Sequence, residues 1–302
     1  MNRIYAYILD GIISIENIVF FNNHGYLVAP GMVSPQEVNA LKKELATICR
    51  GERGAFKGFI PVKNGALDGE LTGRYRALHF PHKMSRIFHN FLFHRKITAT
   101  ITQLIGPDVK CMHSQLYIKG PGCKGHAWHQ DEKIIPTGDQ SLIGAWVALD
   151  DASVENGCLW IIPQRQEHLA RTVPQYSPEY LESETIDVSA YEAQMIPLEV
   201  KAGSVLFYHG YTIHASQPNK TMYCNRAALQ CHYMNANAEL PWSVDGRGVP
   251  VEDMRDIVLI TGVDPYQWKG TNNICCPRFE PATDLAHVND RTKETIRLVK
   301  QS

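Results

Sequence analysis

The sequence lacks a long hydrophobic run, an excess of either charge and a recognisable secretion signal. Its longest apolar stretches, residues 142–149 and 158–162, are far shorter than the roughly 20 residues that a membrane-spanning helix requires. Residues 1–14 are fairly apolar, but no small-residue cleavage site follows them. Thirty Lys and Arg face 31 Asp and Glu, with a pI near 6.9, so the charge of a nucleic-acid-binding domain is missing. These absences predict a cytoplasmic protein without a nucleic-acid or membrane partner.

The sequence also lacks a pattern of paired cysteines. Its eight cysteines are scattered and show no C-x-x-C spacing, which favours reduced thiols over a disulfide framework. Adjacent Cys275 and Cys276 leave two readings open, a redox pair or small apolar core residues. Asn219-Lys220-Thr221 matches a glycosylation sequon, which has no role in a protein that is not secreted.

No repeat or flexible linker divides the chain, and we therefore expect one domain over residues 1–302. Ser34, Pro35 and Glu37 form a capping box that begins a helix. A second helical region runs from about residue 85 to 105, so helices fill about 34–105. The Gly-rich, charged segment 51–73 between them predicts a long loop, either a solvated surface or a mobile lid.

From residue 109 the pattern changes to short strand-like runs separated by turn residues. They cover residues 109–119, 142–149, 158–162, 204–208 and 227–234. Helices first and strands afterwards indicate an α+β fold, with the helices packed on one sheet of a jelly roll. We expect its metal and cosubstrate core at about 109–234, and a contribution of residues 235–302 to the substrate pocket.

One short segment offers two metal ligands. His129 and Asp131 in Trp-His-Gln-Asp stand two residues apart, and on an extended strand both would project to the same side. A third ligand is available at His214, in His-Ala-Ser-Gln-Pro-Asn-Lys-Thr, a segment that Arg226 follows. Two histidines and one carboxylate form the facial triad of non-haem Fe(II) oxygenases, which leaves open positions for a cosubstrate and O2.

Taken in order, several blocks of the chain resemble the phytanoyl-CoA dioxygenase family of Fe(II)/2-oxoglutarate-dependent oxygenases. The blocks are H-G-Y-L-V, M-H-S-Q-L-Y-I-K-G-P-G, W-H-Q-D, G-A-W-V-A-L-D-D-A-S-V-E-N-G-C-L-W-I-I-P and H-A-S-Q-P-N-K-T ending in Arg226. The resemblance covers about residues 20–234. It implies a double-stranded β-helix, a distorted cupin-like jelly roll with N-terminal helices on its major sheet.

The same resemblance implies the site. His129, Asp131 and His214 would bind Fe(II) and so carry the catalysis. Arg226 would hold the distal carboxylate of 2-oxoglutarate, for which a planar guanidinium suits better than an ammonium group. Ser216, two residues after His214 and on the same face, matches the family hydroxyl that assists Arg226. Three further residues align with positions that line the cosubstrate: Lys83, Gln115 and Trp146. The chain departs from the family pattern at residues 163–166 and at Ser204, which puts only local turns in doubt.

The implied activity is hydroxylation, desaturation or another oxidation of a small to medium organic metabolite, with release of succinate and CO2. Natural-product biosynthesis is one setting in which such an enzyme would act. Asp131 fills the position that halogenases leave to a halide, which favours hydroxylation. Alternatives are an acyl-CoA alpha-hydroxylase, a catalytically silent jelly-roll binding module, and a Zn hydrolase that uses His126, His129 and a carboxylate with a metal-bound water. The sequence has no concentrated basic patch for CoA phosphates and leaves the oligomeric state open, a homodimer included.

Several residues keep a purely structural interpretation as well. Arg226 could form a surface salt bridge, and Trp146 could be strand core. Four further histidines are expected to be structural hydrogen-bonding residues: His79, His113, His126 and His209. Loops 51–75, 133–140 and 242–281 are expected to line the substrate pocket.

Overall fold

A computed structural model describes residues 12–61, 65–241 and 253–282. The N-terminal third is mainly helical, with two strands, and its elements in chain order are α1 (Ile15–His24), β1 (Tyr26–Ala29), α2 (Pro35–Cys49), α3 (Asp68–Thr72), β2 (Tyr75–His79), α4 (Pro81–Met84), α5 (Arg86–Phe91) and α6 (Arg95–Ile105). The predicted capping box is confirmed, because the Ser34 hydroxyl accepts from the Glu37 amide while Glu37 accepts from the Ser34 amide. Such a cap contributes about 1 kcal/mol to helix stability.

The rest of the described chain is mainly strands: β3 (Val109–Lys119), β4 (His126–His129), the helical turn α7 (Asp131–Ile134), β5 (Ile143–Ala148), β6 (Leu159–Arg165), β7 (Thr172–Pro174), β8 (Glu184–Ile186), β9 (Ile196–Leu198), β10 (Val205–His209), β11 (Thr212–Ser216), β12 (Arg226–Asn235), β13 (Val258–Thr261) and β14 (Arg278–Pro281). Two 3-10 helices lie at Ser189–Gln194 and Gln267–Lys269. All five predicted strands are present to within one or two residues at most ends.

Two antiparallel sheets face each other and form the jelly roll. The major sheet has the order β1-β10-β5-β12-β3-β2-β14, with β13 also paired to β3, and the minor sheet has the order β4-β11-β6-β9. Trp146 and Ala228 of the major sheet share a buried cluster with Leu159 and Ile161 of the minor sheet. This cluster fills part of the space between the sheets.

The helices cover the other face of the major sheet. Leu41 of α2 and Ile101 of α6 belong to one core cluster with alternate residues of the sheet, such as Leu229 and Cys231. Because successive side chains of a strand point to opposite faces, β12 presents Arg226, Ala228, Gln230 and His232 to the inside of the jelly roll. The expected α+β jelly roll with helices on its major sheet is confirmed.

Segment 51–73, predicted as one long loop, contains the short helix α3 (Asp68–Thr72) and is better anchored than its composition predicts. Phe56 and Phe59 pack against the helical core, and their rings lie 6.5 and 5.7 Å from the ring of Phe279 on β14. That this segment is a mobile lid therefore stays a prediction. A scarcity of apolar contacts no longer supports it, because Phe56 and Phe59 make such contacts. Part of the predicted pocket-lining segment, residues 242–252, lies outside the described residues.

Candidate metal centre and cosubstrate site

Pairing of two minor-sheet strands brings the histidines of the predicted triad together. His129 on β4 lies opposite His214 on β11. The Nδ1 atom of His129 lies 2.7 Å from the carbonyl oxygen of Ala127, and the Nδ1 atom of His214 lies 3.0 Å from the carbonyl oxygen of Thr212. Because an N–H must donate to these carbonyls, Nδ1 carries the proton and Nε2 presents a lone pair, as in many metal-bound histidines.

Asp131 reaches the same point by a different route from the one the spacing predicts. The chain leaves β4 after His129, and Asp131 begins the helical turn α7, so the expected common face of one strand is wrong. The carboxylate oxygen Oδ1 lies 3.5 Å from Nε2 of His129 and 3.6 Å from Nε2 of His214. The three ligand atoms all lie within 4.8 Å of one another, which suits a single metal ion.

The charges of two of these residues also suit metal binding. Burial would raise the pKa of Asp131, but His214 and His232 outweigh it and hold that pKa well below its ordinary value. Burial lowers the pKa of His214 to about 4, so its imidazole is neutral near pH 7. An ionised carboxylate and neutral imidazoles are the forms that coordinate metals, and two histidines with one carboxylate fit Fe(II).

Arg226 lies inside the jelly roll rather than in a surface salt bridge. It is only 2% exposed, and its Nη2 donates to the carbonyl of Gly157 at 3.0 Å. Its guanidinium lies 5.4 Å from the ring of Trp146, while the buried Nε has no hydrogen-bond partner. Among the described residues, no carboxylate forms an ion pair with Arg226. A buried guanidinium with an unused donor is suited to an anionic ligand.

Lys119, which the sequence interpretation missed, stands directly opposite Arg226 on the neighbouring strand β3. Its ammonium group donates to the Ser216 hydroxyl at 2.8 Å and to the carbonyl of Gln217 at 2.6 Å. Burial and then the charge of Arg226 lower the pKa of Lys119 well below its ordinary value. Burial lowers that of Arg226 to about 10. Period-two alternation from Gln115 would have placed Lys119 on the inner face.

The other residues predicted to lie at the cosubstrate have different surroundings. Ser216 contacts Lys119, and Trp146 lies beside Arg226, so both adjoin the cationic pair. Gln115 is buried opposite Gln230 in the interior of the sheet. Lys83 instead donates to Asp256 at 2.6 Å, to Asn273 and to the carbonyl of Cys275. A cosubstrate role for Lys83 and Gln115 stays a prediction.

Each of the four histidines expected to be structural has a hydrogen-bond partner or an ion pair. His79 lies 3.3 Å from Glu280, and His209 bonds the carbonyl of Gln140. His113 bonds His232 at 3.0 Å, and His232 in turn contacts Oδ2 of Asp131 at 2.8 Å. His232 is the second residue that sequence reasoning missed, since no local motif marks it.

His126 is held by a segment whose position the sequence did not predict. Its Nδ1 lies 2.7 Å from Glu182, whose other oxygen accepts from the Ala127 amide at 2.8 Å. Glu182 belongs to the stretch between β6 and β9 that also forms the β7–β8 hairpin. Two further residues of this stretch contact Gln130, whose side-chain amide donates to the carbonyl of His168 and accepts from the backbone amide of Ala170. This segment between β6 and β9 therefore packs against residues that neighbour the candidate metal ligands.

Two imidazoles and one carboxylate that converge between the sheets of a jelly roll define the class of non-haem iron oxygenases. Comparison with known proteins narrows the class. A family model described as phytanoyl-CoA dioxygenase (PhyH) matches residues 21–227. The chain belongs to this family and is an Fe(II)/2-oxoglutarate-dependent oxygenase.

Curated relatives agree with this assignment. Phytanoyl-CoA dioxygenase 1 of Oryza sativa subsp. japonica is 28% identical over 266 residues, which covers 77% of this chain and 92% of the relative. The peroxisomal phytanoyl-CoA dioxygenase of Homo sapiens is 24% identical over 276 residues, covering 84% of this chain and 78% of the relative.

Solved structures confirm the fold. The non-heme alpha ketoglutarate dependent carbocyclase SnoK from nogalamycin biosynthesis superimposes with a TM-score of 0.63 at 22% identity, covering 85% of this chain and 100% of that one. EctD from S. alaskensis with bound Fe has a TM-score of 0.61 at 17% identity, covering 79% and 82%. In the described part of this chain, none of the helices is both long and apolar enough to cross a membrane.

Proposed function

We propose that the protein hydroxylates, desaturates or otherwise oxidises a small to medium organic metabolite, with 2-oxoglutarate bound by Arg226, Lys119 and Ser216. The observation that carries the proposal is the buried pair Arg226 and Lys119, which forms no ion pair with a carboxylate of the described residues. A buried guanidinium beside a buried amine has no counter-charge among the described residues, and a bound carboxylate would offset the cost of holding positive charge there. Ser216 joins this pair to the metal ligand His214, two residues earlier on β11.

The chain's residues bind and orient the reactants. His129, Asp131 and His214 would hold the iron, and the Arg226 fork would fix the distal carboxylate of 2-oxoglutarate. Trp146 closes one side of that fork with its aromatic face. When bound, Fe(II) and 2-oxoglutarate supply the oxidising chemistry, with succinate and CO2 as co-products. The presence of Asp131 at the third ligand position favours hydroxylation over halogenation.

The substrate class rests on the charge distribution of the sequence. Thirty Lys and Arg are spread along the chain without a concentrated basic patch that would bind the phosphates of CoA. This supports a metabolite without that group, including intermediates of natural-product biosynthesis. Acyl-CoA alpha-hydroxylation is the second candidate, because curated relatives that are covered nearly to their full length carry the name phytanoyl-CoA dioxygenase.

One experiment separates these candidates. The Fe(II) and 2-oxoglutarate complex is prepared without O2, and its absorption spectrum is followed while compounds are added from two panels, acyl-CoA thioesters and uncharged or singly charged metabolites. A compound that changes the spectrum is then tested with O2 for succinate release and for its own oxidation. Oxidation of metabolites alone supports the proposal. Selective oxidation of thioesters establishes the second candidate, and a folded, iron-loaded protein without succinate release indicates a silent binding module.

A further inference from the structure

Four inward-facing positions form one row across the major sheet, next to the metal ligand Asp131. His113 on β3 lies opposite His232 on β12, His232 lies opposite Gly144 on β5, and Gly144 lies opposite Tyr208 on β10. Residues opposite each other on neighbouring strands have side chains in contact distance. At the glycine this row is interrupted, and the two aromatic side chains beside it can lean into the space.

His232 contacts the carboxylate oxygen that the two ligand histidines do not face. Its Nε2 lies 2.8 Å from Oδ2 of Asp131, whereas Oδ1 faces Nε2 of His129 and His214. A carboxylate can only accept, so the His232 Nε2 carries the proton and donates it. In the neutral ring, Nδ1 of His232 is then an acceptor, which matches His113 Nδ1 at 3.0 Å as donor.

Tyr208 reaches Asp131 from the other side of the glycine. Burial and then the charge of the Asp131 carboxylate raise the pKa of the Tyr208 hydroxyl well above its ordinary value, and the ring of Tyr208 lies 4.4 Å from that of His214. A Cβ at position 144 would lie 2.7 Å from two ring carbons of Tyr208 and 2.6 Å from Nε2 of Gln230. Atoms do not pack that closely, so any other residue at 144 must displace the tyrosine or the glutamine.

We infer that Tyr208 and His232 are positioning residues that hold Asp131 as a one-oxygen metal ligand, and that Gly144 is the residue that admits Tyr208. The His232 donor occupies the second oxygen of the carboxylate, and the Tyr208 hydroxyl on the other side would restrain its rotation. A carboxylate that turned and gave both oxygens to the metal would take one of the open positions that 2-oxoglutarate and O2 require. The inference rests on the metal-ligand role proposed for Asp131.

The test uses Co(II), an O2-stable probe of the same ligand set, and the variant Tyr208→Phe, which removes only the hydroxyl. Tyr211→Phe is the matched control, because it removes a phenol hydroxyl from a half-buried residue of the same hairpin without a contact to Asp131. We expect Tyr208→Phe to weaken Co(II) binding about tenfold, within the range for partners of metal ligands, and to change the visible spectrum of the bound cobalt. Its Co(II) form should also bind 2-oxoglutarate more weakly.

A purely structural role would give a different pattern. Loss of packing lowers the thermal midpoint of the metal-free protein but leaves the cobalt spectrum and both affinities within about twofold of wild type; this result in folded Tyr208→Phe overturns the inference. Gly144→Ala retains the hydroxyl but displaces it, and should shift the spectrum in the same direction, so it replaces Tyr208→Phe if that variant does not fold. Failure of the proposed metal site is distinguishable, because Asp131→Ala would then bind Co(II) as tightly as the wild type.

Discussion

Lys119 and Arg226 occupy opposite positions on β3 and β12, so that an ammonium and a guanidinium enter the jelly roll side by side. Neither is paired with a carboxylate among the described residues, although both are at least 95% buried. Lys119 of this pair contacts Ser216, which is two residues from the candidate metal ligand His214. This arrangement supports predictions on cosubstrate binding that do not depend on the unknown substrate.

Replacing Arg226 with Leu should weaken 2-oxoglutarate binding by about 2 kcal/mol or more, since a carboxylate loses a charge-assisted, two-point hydrogen bond in a buried place. That corresponds to at least about 30-fold in the dissociation constant. Titration of 2-oxoglutarate into the Co(II) protein measures it, and Co(II) binding itself should survive. The exposed Arg171→Leu variant is the control. Unchanged 2-oxoglutarate affinity would move the anchor elsewhere, with Lys83 as the next candidate.

Binding of 2-oxoglutarate should be accompanied by proton uptake at Lys119. Burial and Arg226 lower the pKa of this amine in the free protein, and an arriving carboxylate raises it again. Because the bound state holds the proton more tightly, affinity is greatest at low pH and falls as pH rises towards the pKa of the bound state. Calorimetry in two buffers with different ionisation enthalpies measures the uptake. Lys119→Met should abolish it, whereas the exposed Lys201→Met should not.

Loss of any triad residue should remove iron binding and turnover together. We expect His129→Ala, Asp131→Ala and His214→Ala each to lower succinate formation by orders of magnitude, because one of three protein ligands is lost. Asp151→Ala serves as the control, since this carboxylate pairs with Lys201 at the surface. Fe(II) affinity and succinate release are measured in parallel. Near-normal turnover of a triad variant at saturating Fe(II) would refute the ligand assignment.

Glu182 should make a pH-dependent contribution to stability through its contacts with His126 and the Ala127 amide. Burial opposes ionisation of Glu182, but these contacts outweigh it and lower the pKa to about 2 from 4.5. The contribution is complete above pH 4.5 and is lost as pH falls towards 2. Because the side chain is 38% exposed, we discount it to about 1 kcal/mol near pH 7.

Thermal unfolding from pH 7 down to pH 3 tests this contribution. Glu182→Gln should be less stable than wild type at pH 7, and the difference should shrink as the solution becomes more acidic. The exposed Glu179→Gln variant should follow the wild type throughout. A stability difference for Glu182→Gln that is the same at every pH would mean that charge is not the cause.

Local signals predicted much of the fold. The capping box at Ser34 and Glu37 fixed the start of α2, because it depends on residues a few positions apart. For the same reason, β-type runs found β3, β5, β10 and β12 of the major sheet and β6 of the minor sheet, but not β1, β2, β13 or β14. The candidate ligands His129, Asp131 and His214 were predicted from ordered motifs, and the structure brings their side chains together. The sequence did not predict that the chain turns at Asp131, because a spacing of two residues is compatible with a continuous strand or with the end of a strand.

Long-range pairing decides the rest of the site. His232 contacts Asp131 across 101 residues, and Lys119 meets Arg226 only because β3 and β12 are neighbours with a particular register. The contact between Glu182 and His126 likewise joins residues that are 56 positions apart in the sequence. The periodicity of a single segment does not reveal which strands are neighbours or in which register they pair. Alternation along β3 and β12 would, however, have reduced the number of candidate inward-facing residues.

The two faces of strand β12 have different surroundings. On the inner face, Arg226 lies beside Lys119 and His232 contacts Asp131, whereas on the outer face Leu229 and Cys231 pack in the core cluster with the helices. A point substitution on this strand therefore affects one interior and spares the other. Deletion of one residue between 226 and 232 would invert the part of the strand on one side of the deletion, so that either Arg226 or His232 would face the helical core. We therefore expect substitutions in β12 to be tolerated better than changes of its length, except at its ends.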